Sequence, residues 1–258
     1  LMFSKNYFKE FLGILFITVC FFYAIGPLFR DLGPEEVIRH IDTRATYVSG
    51  ICWLSGKSPY NPDIFKQVWD EKMVNEVWQS KLEKGRVVLP YPPTLGVIAI
   101  PLALYSWEAA TPLFDVLNVC FLLLTMLFTI LLLRDSQPNF LILSFGIGLS
   151  LIFQLPYTTA VFVVGQNSFI ATAGCLGAVY FAQRRQFWRA ALFILLASIK
   201  PHVSICTLVY LLITSRSWRL LGWSALIVGL TSLVVLTLGR DYNPLPEMLD
   251  SMGYYRAN

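Results

Sequence analysis

Charge is scarce in this chain. Lys, Arg, Asp and Glu together make up only 14% of its 258 residues, against roughly a quarter in soluble domains. With 56% hydrophobic residues and a mean hydropathy of +0.60, this scarcity excludes an ordinary soluble globular protein and indicates a polytopic membrane protein. Histidine occurs only twice and cysteine five times. Cys20, Cys52, Cys120, Cys175 and Cys206 stand singly, mostly inside apolar runs, with no CxxC pair and no nearby histidine. Neither disulfides nor a metal site are therefore expected, and no cofactor is called for. The first apolar run lacks a small-residue cleavage pattern and further apolar segments follow, so it is expected to remain as a membrane helix. Without internal repeats or low-complexity linkers, residues 1–258 are expected to form one integral membrane domain. The net charge of +4 comes from short basic clusters beside apolar runs, a pattern that sets membrane orientation and does not point to nucleic acid.

The charge that is present is segregated: residues 30–90 hold nine basic and nine acidic side chains, half of the total. This segment is expected to be an outer, water-facing loop. Pro34 with Glu35 and Glu36 makes a good helix start, and Gly56 a plausible stop. Between them Ile38, Ile41, Ala45, Val48 and Cys52 recur at helical spacing, while Glu35, Arg39, Asp42, Thr46 and Ser49 recur on another face. Such a helix would lie along a membrane surface and turn Asp42 toward a cleft, with Arg39 one turn away; a merely solvated face has the same pattern. A second amphipathic segment, Asp63 to Leu82, aligns Phe65, Trp69, Met73 and Val77 and is expected to pack on the first.

Lys5 and Lys9 precede the run Phe11 to Phe29, so the positive-inside bias puts the N-terminus in the cytoplasm. After the loop, Thr94 to Trp107 is expected to pass inward, Pro112 to Leu133 outward, and Phe140 to Leu155 inward. The segment after Pro156 would climb back to Gly165-Gln166-Asn167, and Ser168 to Ala182 would run inward again. Arg184, Arg185 and Arg189 form one basic cluster, Arg216 and Arg219 another, and both belong in the cytoplasm. The intervening Ala190 to Thr214 must then turn back at Lys200-Pro201-His202, forming a short hairpin with Lys200 at its outer tip. A plain span whose lysine faces the bundle interior is the alternative, and a lysine at mid-membrane costs about 2.5 to 3.5 kcal/mol on insertion scales. Leu220 to Leu238 crosses outward last. Gln166 and Asn167 fall near the outer face, where buried amides also serve as glue between helices.

The order of these pieces resembles the polyprenyl-phosphate-sugar-dependent glycosyltransferases of the GT-C superfamily, most closely glycosyltransferase family 87. The resemblance rests on Asp42 in the first outer loop, Gly56-Lys57-Ser58-Pro59-Tyr60, Tyr91-Pro92-Pro93 with Pro101-Leu102 downstream, Gly165-Gln166-Asn167, and Lys200-Pro201 followed by Trp218-Arg219. Thr43 and Arg44 stand after Asp42 where family members have an aromatic residue and then tyrosines, and Gln166 and Asn167 are adjacent where the family separates them by one residue. The family also continues through several further C-terminal membrane helices, which this chain is expected to lack.

The resemblance implies an all-α membrane bundle with amphipathic surface helices in the first outer loop and short or re-entrant membrane helices. It implies an inverting, metal-independent hexosyltransferase, with mannose or another hexose or pentose passing from a polyprenyl-phosphate donor to a lipid or glycan acceptor hydroxyl. The reaction would occur at the outer face of a bacterial cell membrane. Asp42 would be the general base, and Lys200, with His202 or Arg39, would stabilise the leaving phosphate. Tyr60, Tyr91 and Trp53 would line the substrate with Gln166 and Asn167, although aromatic rings at that depth also anchor proteins at the interface. Two other classes fit the same bundle: a lipid-linked-sugar transporter or flippase, which gives no special reason for Asp42, and a non-catalytic truncated subunit.

Overall fold

The computed structural model describes residues 5–26, 40–72, 91–134, 139–238 and 246–249. Among these residues there are helices and connecting turns but no strand. The α-helices are α1 (Lys5–Ile25), α2 (Ile41–Leu54), α3 (Pro62–Lys72), α4 (Gly96–Ala103), α5 (Trp107–Leu133), α6 (Phe140–Phe153), α7 (Leu155–Val164), α8 (Ser168–Gln183), α9 (Phe187–Ala197), α10 (Pro201–Ser215) and α11 (Trp218–Thr237), with a 3₁₀ turn at Pro93–Leu95 before α4. Among the described residues α5 and α11 are each long and apolar enough to cross a bilayer. A pair bent by 58°, Phe140–Ile152 with Pro156–Val164, counts as a third if it is one span. Large apolar side chains such as Phe11, Ile14 and Val19 on α1, or Leu230, Leu233 and Val234 on α11, are exposed. In a membrane protein these are the lipid-facing residues. The chain is an all-α membrane helical bundle.

Packing fixes which end of each helix lies where. Trp107 at the start of α5 meets Tyr47 of α2 edge-on with ring centroids 5.4 Å apart. Near the other end of α5, Phe128 packs on Tyr180 and Phe181 of α8, beside the first arginine cluster. A single cavity is lined by Arg185 together with Arg216 and Arg219, so both arginine clusters sit at one end of the bundle. The chain between them must go out and come back. Indeed α9 and α10, of 11 and 15 residues, break at Ser198–Lys200. At about 1.5 Å per residue they reach roughly 16 and 22 Å, too short for separate full crossings. The hairpin expected from the basic clusters is present, and a plain span is not.

Other crossings differ from the sequence reading. The segment expected to pass inward, Thr94 to Trp107, holds only the eight-residue α4, about 12 Å long, and it stays at the α2 end of the bundle. The direction of α5 is consequently reversed: it runs from the α2 end toward the arginine end, and its terminal Arg134 joins the other basic residues there. α6 is reversed as well, running alongside α1 in the same direction, since Gly13 faces Ser144 while Cys20 and Phe16 face Gly148. Length in the helix decides these crossings, and apolarity alone had suggested one too many.

α2 is not a surface helix. Thr46 and Ser49, placed on its water-facing stripe by their spacing, are fully buried. Each hydroxyl donates to the carbonyl four residues back, Thr46 to Asp42 at 2.8 Å and Ser49 to Ala45 at 2.6 Å, so helical hydroxyls here need no water. The helix packs into the main core with Val48, Cys52 and Trp53 against Leu95, Ala99 and Leu102. Gly50 makes that approach possible, because a Cβ there would strike the carbonyl of Ala99 and come within 2.8 Å of the Ala103 Cβ. The expected start of the helix at Pro34 lies outside the described residues. α3 does behave as an amphipathic helix on α2, burying Phe65, Val68 and Trp69 while Lys66 pairs with Asp70 at 2.7 Å on its outer side. Met73 and Val77 lie outside the described residues.

Candidate active site

At the α2 end of the bundle four chain breaks converge: the entry to α2, the Tyr91-Pro92-Pro93 segment, the Gly165-Gln166-Asn167 turn and the α9–α10 tip. Half-buried Asp42 stands in the first turn of α2. The hydroxyl of Tyr91 donates to its Oδ2 at 3.4 Å. Burial raises the Asp42 pKa above the ordinary carboxylate value, while the positive charge of Lys200 and then the Tyr91 hydrogen bond pull it back. The two charges are thus close enough to interact, yet no ion pair within 4.0 Å joins them. Lys200 instead donates to the Ser168 hydroxyl at 2.7 Å, and Ser168 donates to the Gln166 side-chain oxygen at 3.0 Å.

The scaffold of this cluster is polar and tightly connected. Gly165 adopts φ +72°, which L side chains rarely accept, and a Cβ there would strike the Thr43 hydroxyl. Thr43 donates to the Gly165 carbonyl at 3.3 Å, and the His40 backbone N–H donates to the Val163 carbonyl at 2.7 Å. Asn167, fully buried, donates to Thr46 at 3.4 Å. The entry to α2 is thereby fixed to the turn that starts α8, and through Ser168 to Lys200.

The residues singled out in the sequence separate into three groups. Asp42, Tyr91, Gln166, Asn167 and Lys200 are brought together. Trp53 and Tyr60 stand behind them: both are buried, their rings meet edge-on at 6.4 Å, and the Tyr60 hydroxyl donates to the Tyr91 carbonyl at 3.2 Å. Tyr60 therefore holds the backbone of the residue that touches Asp42. His202 is exposed on the first turn of α10. Arg39 lies outside the described residues.

One pair was missed. Buried His40, itself left-handed at φ 61°, places Nε2 3.7 Å from Asp115 Oδ2 on α5. Asp115 could have been found, since an acid within an apolar membrane helix is by default a functional hypothesis. His40, two residues before Asp42, is one of only two histidines in the chain.

The all-helical membrane bundle thus gathers Asp42, Lys200 and a set of hydroxyls and amides at one end, with the His40–Asp115 pair beside them. A model of glycosyltransferase family 87 matches residues 89–253. The chain belongs to glycosyltransferase family 87 and is a membrane glycosyltransferase. The match includes Tyr91, Gln166, Asn167 and Lys200 and begins after α2, so the family assignment is independent of Asp42. No curated protein and no solved structure matches the chain.

Proposed function

We propose that the chain transfers a hexose or pentose, with inversion, from a polyprenyl-phosphate donor to a hydroxyl of a lipid or glycan acceptor. The reaction takes place at the outer face of a bacterial cell membrane, with the arginine end of the bundle in the cytoplasm. What carries this reading is the juxtaposition of Asp42 and Lys200 in one half-buried cluster without a contact ion pair between them. A base and a phosphate clamp must be near each other and still separate enough to admit the reacting groups.

In this reading Asp42 removes the proton from the acceptor hydroxyl as its oxygen bonds to the anomeric carbon. The bond from that carbon to the phosphate oxygen breaks on the opposite face of the sugar, and the lipid phosphate leaves with the electron pair. Lys200, aimed by Ser168 and Gln166, stabilises the charge that develops there. His202, on the adjacent turn, and Arg39 are further candidates for the phosphate. A carboxylate whose pKa is raised by burial is a stronger base, and its hydrogen bond from Tyr91 orients it. Tyr91 lines the sugar, with Tyr60 and Trp53 bracing it from behind and the Gln166-Asn167 turn opposite. A single displacement needs one carboxylate, unlike the pair used in hydrolysis.

The test is transfer from radiolabelled polyprenyl-phosphate sugars in membranes containing the full chain. Asp42→Asn should fold normally and lose at least about 10²-fold in rate, the lower end for a positioned acid or base. Transfer by that variant at the wild-type rate would remove Asp42 from the mechanism.

A further inference from the structure

The cavity at the opposite end of the bundle is not used by this reaction. It measures about 720 Å³ and lies where α8 ends, α10 ends and α11 begins, with Arg185, Arg216, Arg219, Tyr210, Ser217 and Trp218 among its walls. Its size falls within the range of ligand pockets, roughly 300 to 1,000 Å³. Neighbouring arginines find partners within the protein: Arg184 lies over the Tyr180 ring at 3.7 Å, and Arg189 donates to Gln186 at 2.8 Å. Among the described residues, no carboxylate or other hydrogen-bond acceptor holds the guanidinium groups of Arg185, Arg216 or Arg219. The chain offers little choice, since no Asp or Glu occurs from Ser136 to Arg240.

Among the described residues, Arg185 and Arg216 are also two of the three non-glycine residues with positive φ, at 57° and 48°. A long side chain in the left-handed region, at both turns that border one cavity, is an unfavourable backbone choice that glycine or asparagine would relieve. Trp218 is 82% exposed and Tyr210 51% exposed at the mouth of the cavity, and the lipid-facing side of α11 continues from it. Amphipathic rings of this kind belong at headgroup depth.

We infer that this cavity is a binding site for the phosphate headgroup of an anionic phospholipid, drawn from the membrane leaflet at the arginine end. The guanidinium groups of Arg185, Arg216 and Arg219 donate to the phosphate oxygens, and Trp218 and Tyr210 border the glycerol and the first part of the acyl chains. The site is independent of the chemistry at the Lys200 end.

Native mass spectrometry of the purified full chain in detergent, titrated with phosphatidylglycerol or with phosphatidylcholine of the same acyl chains, tests the assignment. Phosphatidylglycerol should bind at least about tenfold more tightly. The double variant Arg185→Gln/Arg219→Gln should lose that preference, whereas Arg134→Gln, at the same end but outside the cavity, should keep it. Arg216→Gly removes a charge and relaxes a positive φ, so its melting temperature should be maintained while lipid binding falls, which separates a binding defect from misfolding. Equal binding of the two lipids would overturn the assignment, as would undiminished preference in the arginine variants. Displacement of the lipid by inorganic phosphate at equal concentration would show a free-anion site and would also overturn it.

Discussion

At one end of the bundle a single lysine is drawn inside, donating to Ser168 and sensing the charge of Asp42. At the other end Arg184, Arg185, Arg189, Arg216 and Arg219 stand exposed with no acid nearby in the sequence, and Arg134 is exposed there as well. An exposed cation needs only water, whereas one taken into a helical core needs acceptors and a counter-charge around it. The first arrangement constrains its neighbours and the second does not. The polar connections that join the entry to α2 with the turn before α8, from Gly165 against Thr43 to Asn167 on Thr46, are accordingly at the lysine end. The proposed function places the chemistry at that end, and the proposed lipid site lies at the arginine end.

The sharpest way to break this contrast is to exchange cations for neutral side chains at each end. Lys200→Met should reduce transfer by about 10² to 10³-fold, the range for losing a donor that stabilises developing negative charge. Arg185→Gln/Arg219→Gln should leave transfer in detergent close to wild type. Comparable losses at both ends, measured by initial rates with radiolabelled donor, would remove the distinction. A structural perturbation should act next most strongly. Gly50→Val would drive its side chain into the carbonyl of Ala99, and overpacking of this kind costs about 1 to 3 kcal/mol. Its melting temperature in detergent should fall, whereas the unclashed Gly229→Val on α11 should melt near wild type.

The contrast was partly legible in the sequence. The Lys200 hairpin could be read because two basic clusters flank a run too short to cross twice and too long to ignore, and a proline marks the break. Tyr91 could be associated with the site because the adjacent prolines hold its backbone. α2 was read on the wrong side of the surface, because Thr46 and Ser49 look water-facing until their hydroxyls are allowed to bond the preceding turn. Apolarity from Thr94 to Trp107 suggested a crossing, but the turn after Ala103 leaves only eight helical residues, and that one element reversed the direction of α5 and α6. His40 and Asp115 are 75 positions apart in the numbering, so only the fold pairs them.

The smallest effect expected is on the pH profile. As the proposed base, Asp42 must be ionised to act, so transfer should fall as pH drops through its pKa, which burial places above the ordinary carboxylate value. The Tyr91 hydrogen bond and the Lys200 charge both lower that pKa. Tyr91→Phe should therefore move the acidic limb of the rate profile to higher pH, and Lys200→Met should move it further in the same direction, since the lysine charge is the larger influence. An acidic limb that stays in place in both variants would show that another group is titrating.

The claim on which the rest depends is that both ends of the α9–α10 hairpin are at one side and its tip is at the other, on the side of the α2 cluster. Single cysteines introduced into a cysteine-free chain in sealed vesicles test it, using a membrane-impermeant thiol reagent. Exposed positions serve at each end: Ser106→Cys and His202→Cys at the lysine end, Arg185→Cys and Arg219→Cys at the arginine end. The first two should label together from the outer face, and the second two only from the inner face. Labelling of Arg185→Cys and Arg219→Cys from opposite faces, or of Ser106→Cys and His202→Cys from opposite faces, would contradict the account and separate Lys200 from Asp42.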